Sequence, residues 1–207
     1  MFASLLKFFG FSRRFGQHAK KSKKDILDQQ ISKSLEDYLN RDIYQNLTAE
    51  IIDSISDDEL PQVVVDSLIL KFPQDYKKQY DTVMNWTKPQ QAIYLTWYLA
   101  AEVANGGFNQ YYFNSGGRFS NLTPSAFGLI GANNLAGLVI RANEIYKTEN
   151  EDITRHQDGS IEGFSKSYTD NPLNKLDGEF YNLAKSENLE QLQADFIRKN
   201  KADFIDL

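Results

Sequence analysis

Residues 102–117 read Glu-Val-Ala-Asn-Gly-Gly-Phe-Asn-Gln-Tyr-Tyr-Phe-Asn-Ser-Gly-Gly, with two glycine pairs around an aromatic and amide stretch. On a short helix, Phe108, Tyr111 and Tyr112 share one face, and Gln110 and Asn114 share another. Glu102 lies one turn before the first glycine pair, where its carboxylate is placed to accept from free backbone amides of the helix that follows. Glu102, Asn105, Gln110 and Asn114, with Gly106 and Gly107 at the turn, form a candidate recognition pocket. The architectural alternative has glycines making a tight corner, aromatics filling the core and polar groups satisfying buried backbone.

Carboxylates supply the second chemistry. Asp53, Asp57, Asp58, Glu59 and Asp66 fall at spacings that place them along one stretch of helix surface, and Asp25, Asp28, Glu36 and Asp37 offer another such row. Carboxylates four apart on a helix have Cβ atoms about 5–6 Å apart. DNA phosphates recur every ~3.4 Å of rise along a strand. The first row is therefore a candidate partner-binding surface for a cationic macromolecule, and its alternative is a solvated acidic face.

Catalytic chemistry finds little to work with. His18, in the extension, and His156, in the 149–172 segment, are the only histidines and cysteine is absent, so no three-histidine metal site or thiolate site can be assembled within one chain, and a histidine-based triad has only a tail or a loop imidazole to draw on. Gly106-Gly107 and Gly116-Gly117 follow no strand and lack the lysine–hydroxyl pair of a phosphate-cradling loop. Paired carboxylates remain able to do acid–base work, but no spacing singles out a pair. The expectation is a non-catalytic protein, with no catalytic residue, metal or cofactor assigned.

The elements that must position these groups read as helices. Ile26, Leu27, Ile31, Leu35, Tyr38 and Leu39 recur at helical spacing. A segment from Thr48 buries Ile51, Ile52 and Ile55. Another starts at Asp57-Asp58-Glu59-Leu60-Pro61, with acids at the positive end and proline in the first turn, and runs to Phe72. Its three valines favour strand locally, but the longer period favours helix. Thr87 and Gln90 have capping-box spacing around Pro89. The helix they open is apolar on most sides to Val103, belongs at the centre of a bundle, and stops at Asn105-Gly106-Gly107. Thr123-Pro124 opens the next. Leu135, Leu138, Val139, Ala142, Ile145 and Tyr146 form a stripe with Asn133, Asn134, Arg141, Asn143 and Glu144 facing out. Residues 149–172 read as a long loop, and two helices close the chain around Leu173–Leu183 and Leu189–Ile197. No alternating strand pair with a hairpin signal occurs. The fold class is all-α, a single compact multi-helix bundle.

Length and composition agree with one helical domain, 25–207, carrying an N-terminal extension, 1–24. A chain of 207 residues with 41% hydrophobic content, 14 Phe and 11 Tyr can bury a core. No apolar run is long enough to span a bilayer. The net charge of −5 hides an asymmetry, because residues 1–24 hold seven cations and no acid. The remainder carries 16 cations against 28 acids, or −12. The body is expected to repel nucleic acid and attract basic partners. In the extension, Phe2, Leu5, Leu6, Phe8 and Phe9 precede most of the cations, the reverse of a secretory signal. That order suits a short helix at an anionic membrane surface; a docked helix, a loose tail and a transit peptide are the alternatives.

The string Asn105-Gly106-Gly107-Phe108-Asn109-Gln110-Tyr111-Tyr112-Phe113-Asn114-Ser115-Gly116 closely resembles the hallmark of a bacterial family named for a DNA-mimic protein. Weaker similarity follows at Ile130-Gly131-Ala132, Leu176-Asp177 to Phe180-Tyr181, Ile197-Arg198 and Asp203-Phe204, so that about 60–205 is family-like. The resemblance implies an all-helical fold, self-association as a homodimer, and engagement of protein partners. In the DNA-mimic reading, surface carboxylates stand in for phosphates and occupy a DNA-binding protein. An immunity or inhibitor protein against a basic toxin or nuclease would use the same electrostatics, and a peripheral membrane protein anchored by residues 1–24 is the third reading. The expected location is cytoplasmic, with membrane-peripheral attachment if the extension binds lipid.

Overall fold

Several helices begin where a side chain or a proline removes the cost of unpaired first-turn amides. A computed structural model describes residues 32–33, 36, 38–156, 160–169 and 171–205. The 1–24 extension, and Asp25, Asp28 and Asp37 of the second acidic row, lie outside the described residues. Glu36 is exposed.

Helix α1 (Ala49–Ser54) starts on Thr48, whose hydroxyl accepts from the Ile51 amide at 3.3 Å. Helix α2 (Leu60–Leu70) has Pro61 in its first turn and is buried from Leu60 to Leu68. Its valines are helical, because burial on several sides rewards side-chain packing over local propensity. Between α2 and the central helix, a 3-10 turn (Tyr76–Lys78), capped by Asp75, leads into α3 (Gln79–Asn85).

The central α4 (Lys88–Phe113) opens with the capping box that Thr87 and Gln90 announced: Gln90 N–H donates to the Thr87 hydroxyl and Thr87 N–H to the Gln90 carbonyl oxygen. Its contacts reach α2 and, further along the chain, α5 (Thr123–Leu129), α9 (Asn174–Ser186) and α10 (Leu189–Lys199). Helix α6 (Asn133–Thr148) packs on α5 and α9 and buries Leu135, Leu138, Val139 and Ala142. Its first-turn amides are capped from another helix end. Glu187 accepts from Asn134 N–H at 2.9 Å and Leu135 N–H at 3.0 Å. No strand occurs among the described residues, and the buried residues form one hydrophobic cluster from Leu47 to Phe204.

One expectation about the elements is corrected. The 149–172 segment is not one long loop: it contains α7 (Asn150–Thr154) and α8 (Ile161–Lys166). Helices this short leave no readable period and depend on packing rather than propensity, here through buried Ile153. The central helix closes at the glycines as its sequence indicates, and a second helical stretch follows across the kink as far as Phe113.

Candidate functional site

The break in α4 organises the densest polar network in the described residues. Gly106 (φ −159°, ψ 30°) and Gly107 (φ 69°, ψ −176°) leave the helical region, so the backbone groups on either side lose their partners. Three distant side chains replace them. Asp177 Oδ1 of α9 accepts from the Phe108 amide at 2.9 Å, Tyr168 donates its hydroxyl to the Gly106 carbonyl at 2.7 Å, and Tyr181 donates to the Val103 carbonyl at 3.1 Å. A Cβ on Gly107 would stand 2.7 Å from Asp177 Cγ and closer still to Oδ2. One on Gly106 would stand 2.6 Å from the Tyr168 hydroxyl. Both glycines are needed because side chains close over the broken backbone, and Gly107 because its positive φ with extended ψ is a region essentially reserved for glycine.

Burial pushes the Asp177 carboxyl above its ordinary value, an effect that the hydrogen bond from Phe108 partly offsets. Glu102 does not cap the second half of α4 as expected. Its Oε2 accepts instead from the side-chain amides of Gln110 at 2.8 Å and Asn114 at 2.9 Å, which share a face one turn apart. Backbone capping falls to Asp177 because α9, 70 positions on, packs across the break. Asn105 is exposed on the last turn before it.

Behind the glycines, Asn109 donates to the Ser167 hydroxyl at 2.7 Å and accepts from Asn171 at 2.9 Å; Asn171 in turn accepts from the Leu173 amide. These buried amides fasten the 167–173 segment to α4. The aromatic face is also core: Phe108, Tyr111 and Tyr112 are buried. The Tyr111 hydroxyl lies 2.9 Å from that of Thr123. Tyr112 stacks on Tyr146 and donates to Asn143 at 2.7 Å. Asn143 therefore turns inward rather than out, and passes its own amide protons to the Ser120 carbonyl. Burial raises both tyrosine pKa values, so these rings are neutral packing groups. The network holds the two halves of α4 to α9 and to the 167–173 segment before it, and through Tyr112 to α6.

The carboxylate row Asp53–Asp66 is not one open array. Asp66 is 7% exposed. Arg41 donates to it through Nε at 2.6 Å and Nη2 at 3.0 Å, and Gln62 adds a third bond at 2.8 Å. It faces inward because α2 is buried around most of its circumference, which a helix-surface reading of spacing does not reveal. Asp53 pairs with Lys201. Asp57 Oδ1 takes Arg198 at 2.6 Å, while that guanidinium also caps the end of α1 through the Ile52 and Ile55 carbonyls. The hydrogen bonds from Gln191 and from Arg198 hold the Asp57 carboxyl below its ordinary value. Asp58 and Glu59 are exposed, and Glu59 accepts from the Ser56 hydroxyl at 2.8 Å.

A narrower acidic corner does assemble where α1, the 55–59 turn and α10 meet. The Gln191 amide nitrogen donates to Asp57 Oδ2 at 2.8 Å and to Asp195 Oδ1 at 3.0 Å, so the two carboxylates lie within a short span of each other. Glu50 stands close enough to Asp53 and Lys201 to feel both charges. Glu50, Asp53, Asp57, Asp58, Glu59 and Asp195 lie around this point, with Arg198 paired to Asp57 and Lys201 to Asp53. Among the described residues no cluster of histidine and acid side chains is arranged to hold a metal ion, and no helix is long and apolar enough to cross a membrane.

Fold and site together define an all-helical protein whose central helix is broken at a glycine pair and spliced by side chains from a later helix. A family model described as DMP19-like protein matches residues 84–200, more than half of the chain, and the chain belongs to that family. No curated protein and no solved structure matches it. The matched residues include the whole break and its partners Tyr168, Asp177 and Tyr181. They start later than position 60, so Asp53 to Asp66 precede them, whereas Gln191, Asp195 and Arg198 fall inside.

Proposed function

We propose that this chain is a non-catalytic binding protein that occupies the cationic, DNA-binding surface of a protein partner, as a DNA mimic does. Its contact surface in this reading is the corner of Glu50, Asp53, Asp57, Asp58, Glu59 and Asp195. The observation that carries it is the bridging of Asp57 and Asp195 by the Gln191 amide, with Arg198 holding Asp57 from the other side. Carboxylates fixed in this way are organised before binding, so less side-chain entropy is lost when a partner docks. Their excess negative charge steers a basic surface toward the corner. Membership of the DMP19-like family agrees with this reading. The Gly106–Gly107 network then serves as scaffold, because its polar groups are spent on one another.

Capture from the native lysate at low and high salt, with wild type and Asp58→Lys/Glu59→Lys side by side, tests the proposal. Both substituted residues are exposed, so the variant is expected to fold. Basic DNA-binding proteins should be retained by wild type, fall away as salt screens the contact, and be missing from the variant. Partners that are acidic, or held equally by wild type and variant at all salt concentrations, would overturn it.

A further inference from the structure

The exposed apolar side chains are not spread evenly. Ile69 (39% exposed), Leu70 (52%), Tyr76 (54%) and Met84 (39%) all fall between the end of α2 and α3, half of the exposed large hydrophobics among the described residues. Aromatic contacts bring the segments that carry them close together. The Arg118 guanidinium lies 5.5 Å over the Tyr76 ring and 5.7 Å over Tyr80, and Tyr80 stacks on Phe119 at 5.1 Å. Met84 follows Tyr80 by one helical turn. Phe72, two positions beyond Leu70, stacks on Trp86 at the far end of α3. Lys71, Lys77, Lys78 and Arg118 are exposed around these residues, against Asp75 and Asp81.

We infer that this patch is a docking surface for an anionic lipid membrane. Contiguous exposed apolar residues mark protein or membrane contact sites, and tyrosine with a cationic rim is the composition favoured at a headgroup boundary. The chain's own sequence points the same way, since the first 24 residues combine seven phenylalanine and leucine side chains with seven cations. A second copy fits less well. A twofold contact through this patch would gather the net positive rims of both copies into one interface. The acidic corner lies at the opposite end of α2, a helix of 11 residues and so about 16 Å long. A molecule seated on lipid through the patch thus keeps the corner open to water.

The test uses the full-length chain and vesicles of phosphatidylcholine with and without phosphatidylserine. Because the protein has no cysteine, Met84→Cys and Asp58→Cys each accept a single polarity-sensitive fluorophore. The label at position 84 should shift to the blue with phosphatidylserine vesicles only, and the label at 58 should not move. Lys77→Glu/Lys78→Glu should lower sedimentation with those vesicles by on the order of tenfold. Either of two results overturns the inference: no lipid-dependent shift at 84, or sedimentation unchanged by the lysine reversal, which would leave any binding to residues 1–24. A blue shift at 84 that grows with protein concentration in the absence of lipid also overturns it, by assigning the patch to a second copy. None of these outcomes depends on the acidic corner, so the proposed function stands or falls separately.

Discussion

Replacing Gly107 by alanine tests whether the break in α4 is held as described. The residue sits at φ 69°, ψ −176°, and forcing a side chain into that region costs on the order of 1–3 kcal/mol. The added methyl would also stand 2.7 Å from Asp177 Cγ and 2.8 Å from Oδ1, so the carboxylate must move and release the Phe108 amide. A hydrogen bond from an amide to a carboxylate contributes about 1.5–3 kcal/mol. The two effects together come to roughly 3–5 kcal/mol, a large part of the ~5–15 kcal/mol that holds a typical domain folded. For a chain of this length that corresponds to a melting temperature lower by roughly 10 °C. Thermal and urea unfolding followed by far-ultraviolet circular dichroism would measure it. The decisive comparison is a cycle with Asp177→Ala. Alone, that change should cost about 1.5–3 kcal/mol; in the Gly107→Ala background it should cost little, because the bond it removes is already broken. A Gly107→Ala protein within about 1 kcal/mol of wild type, or costs that simply add, would refute the reasoning.

Two further outcomes follow from the same geometry. Asp177→Asn keeps an acceptor for the Phe108 amide but cannot ionise. The folded-state carboxyl is raised above 3.8, so the folded protein binds that proton more tightly than the unfolded chain and this group's contribution to stability falls as pH rises through the interval above 3.8. Relative to wild type, the asparagine variant should therefore gain across that interval in urea unfolding at stepped pH, and a difference that does not change with pH would contradict it. Glu187→Ala strips the cap from the Asn134 and Leu135 amides and should cost about 0.5–2 kcal/mol. Hydrogen exchange should show faster opening confined to the first turn of α6; uniform protection along that helix would count against the assignment.

How much was legible in the residues themselves varies with the range of the interaction. Local features came through: the Thr87–Gln90 capping box, Pro61 and Pro124 in first turns, the stripe of α6 and the interruption at Gly106–Gly107 all depend on neighbours within about one turn. Short helices such as α3, α7 and α8 did not, because each shows too few apolar positions to define a period. The candidate pocket was half legible. Gln110 and Asn114 share a face by helical geometry, and both do meet Glu102. Asp177 stood out only as part of the Leu176-Asp177 similarity, with no role attached, and nothing near Tyr168 or Tyr181 marked them as partners of a backbone 60 to 80 positions away.

The same division runs through the charges. Composition alone determined that the part beyond residue 24 is acidic and that the chain lacks thiols and all but two imidazoles. Which carboxylates face solvent was decided by tertiary packing. Asp57 and Asp66 look alike as sequence, yet α10 brings Arg198 and Gln191 to the first at an exposed corner, while the buried wall of α2 closes over the second with Arg41. A side chain's solvent exposure depends on what the chain folds against it, and periodicity along one helix carries no record of that neighbour.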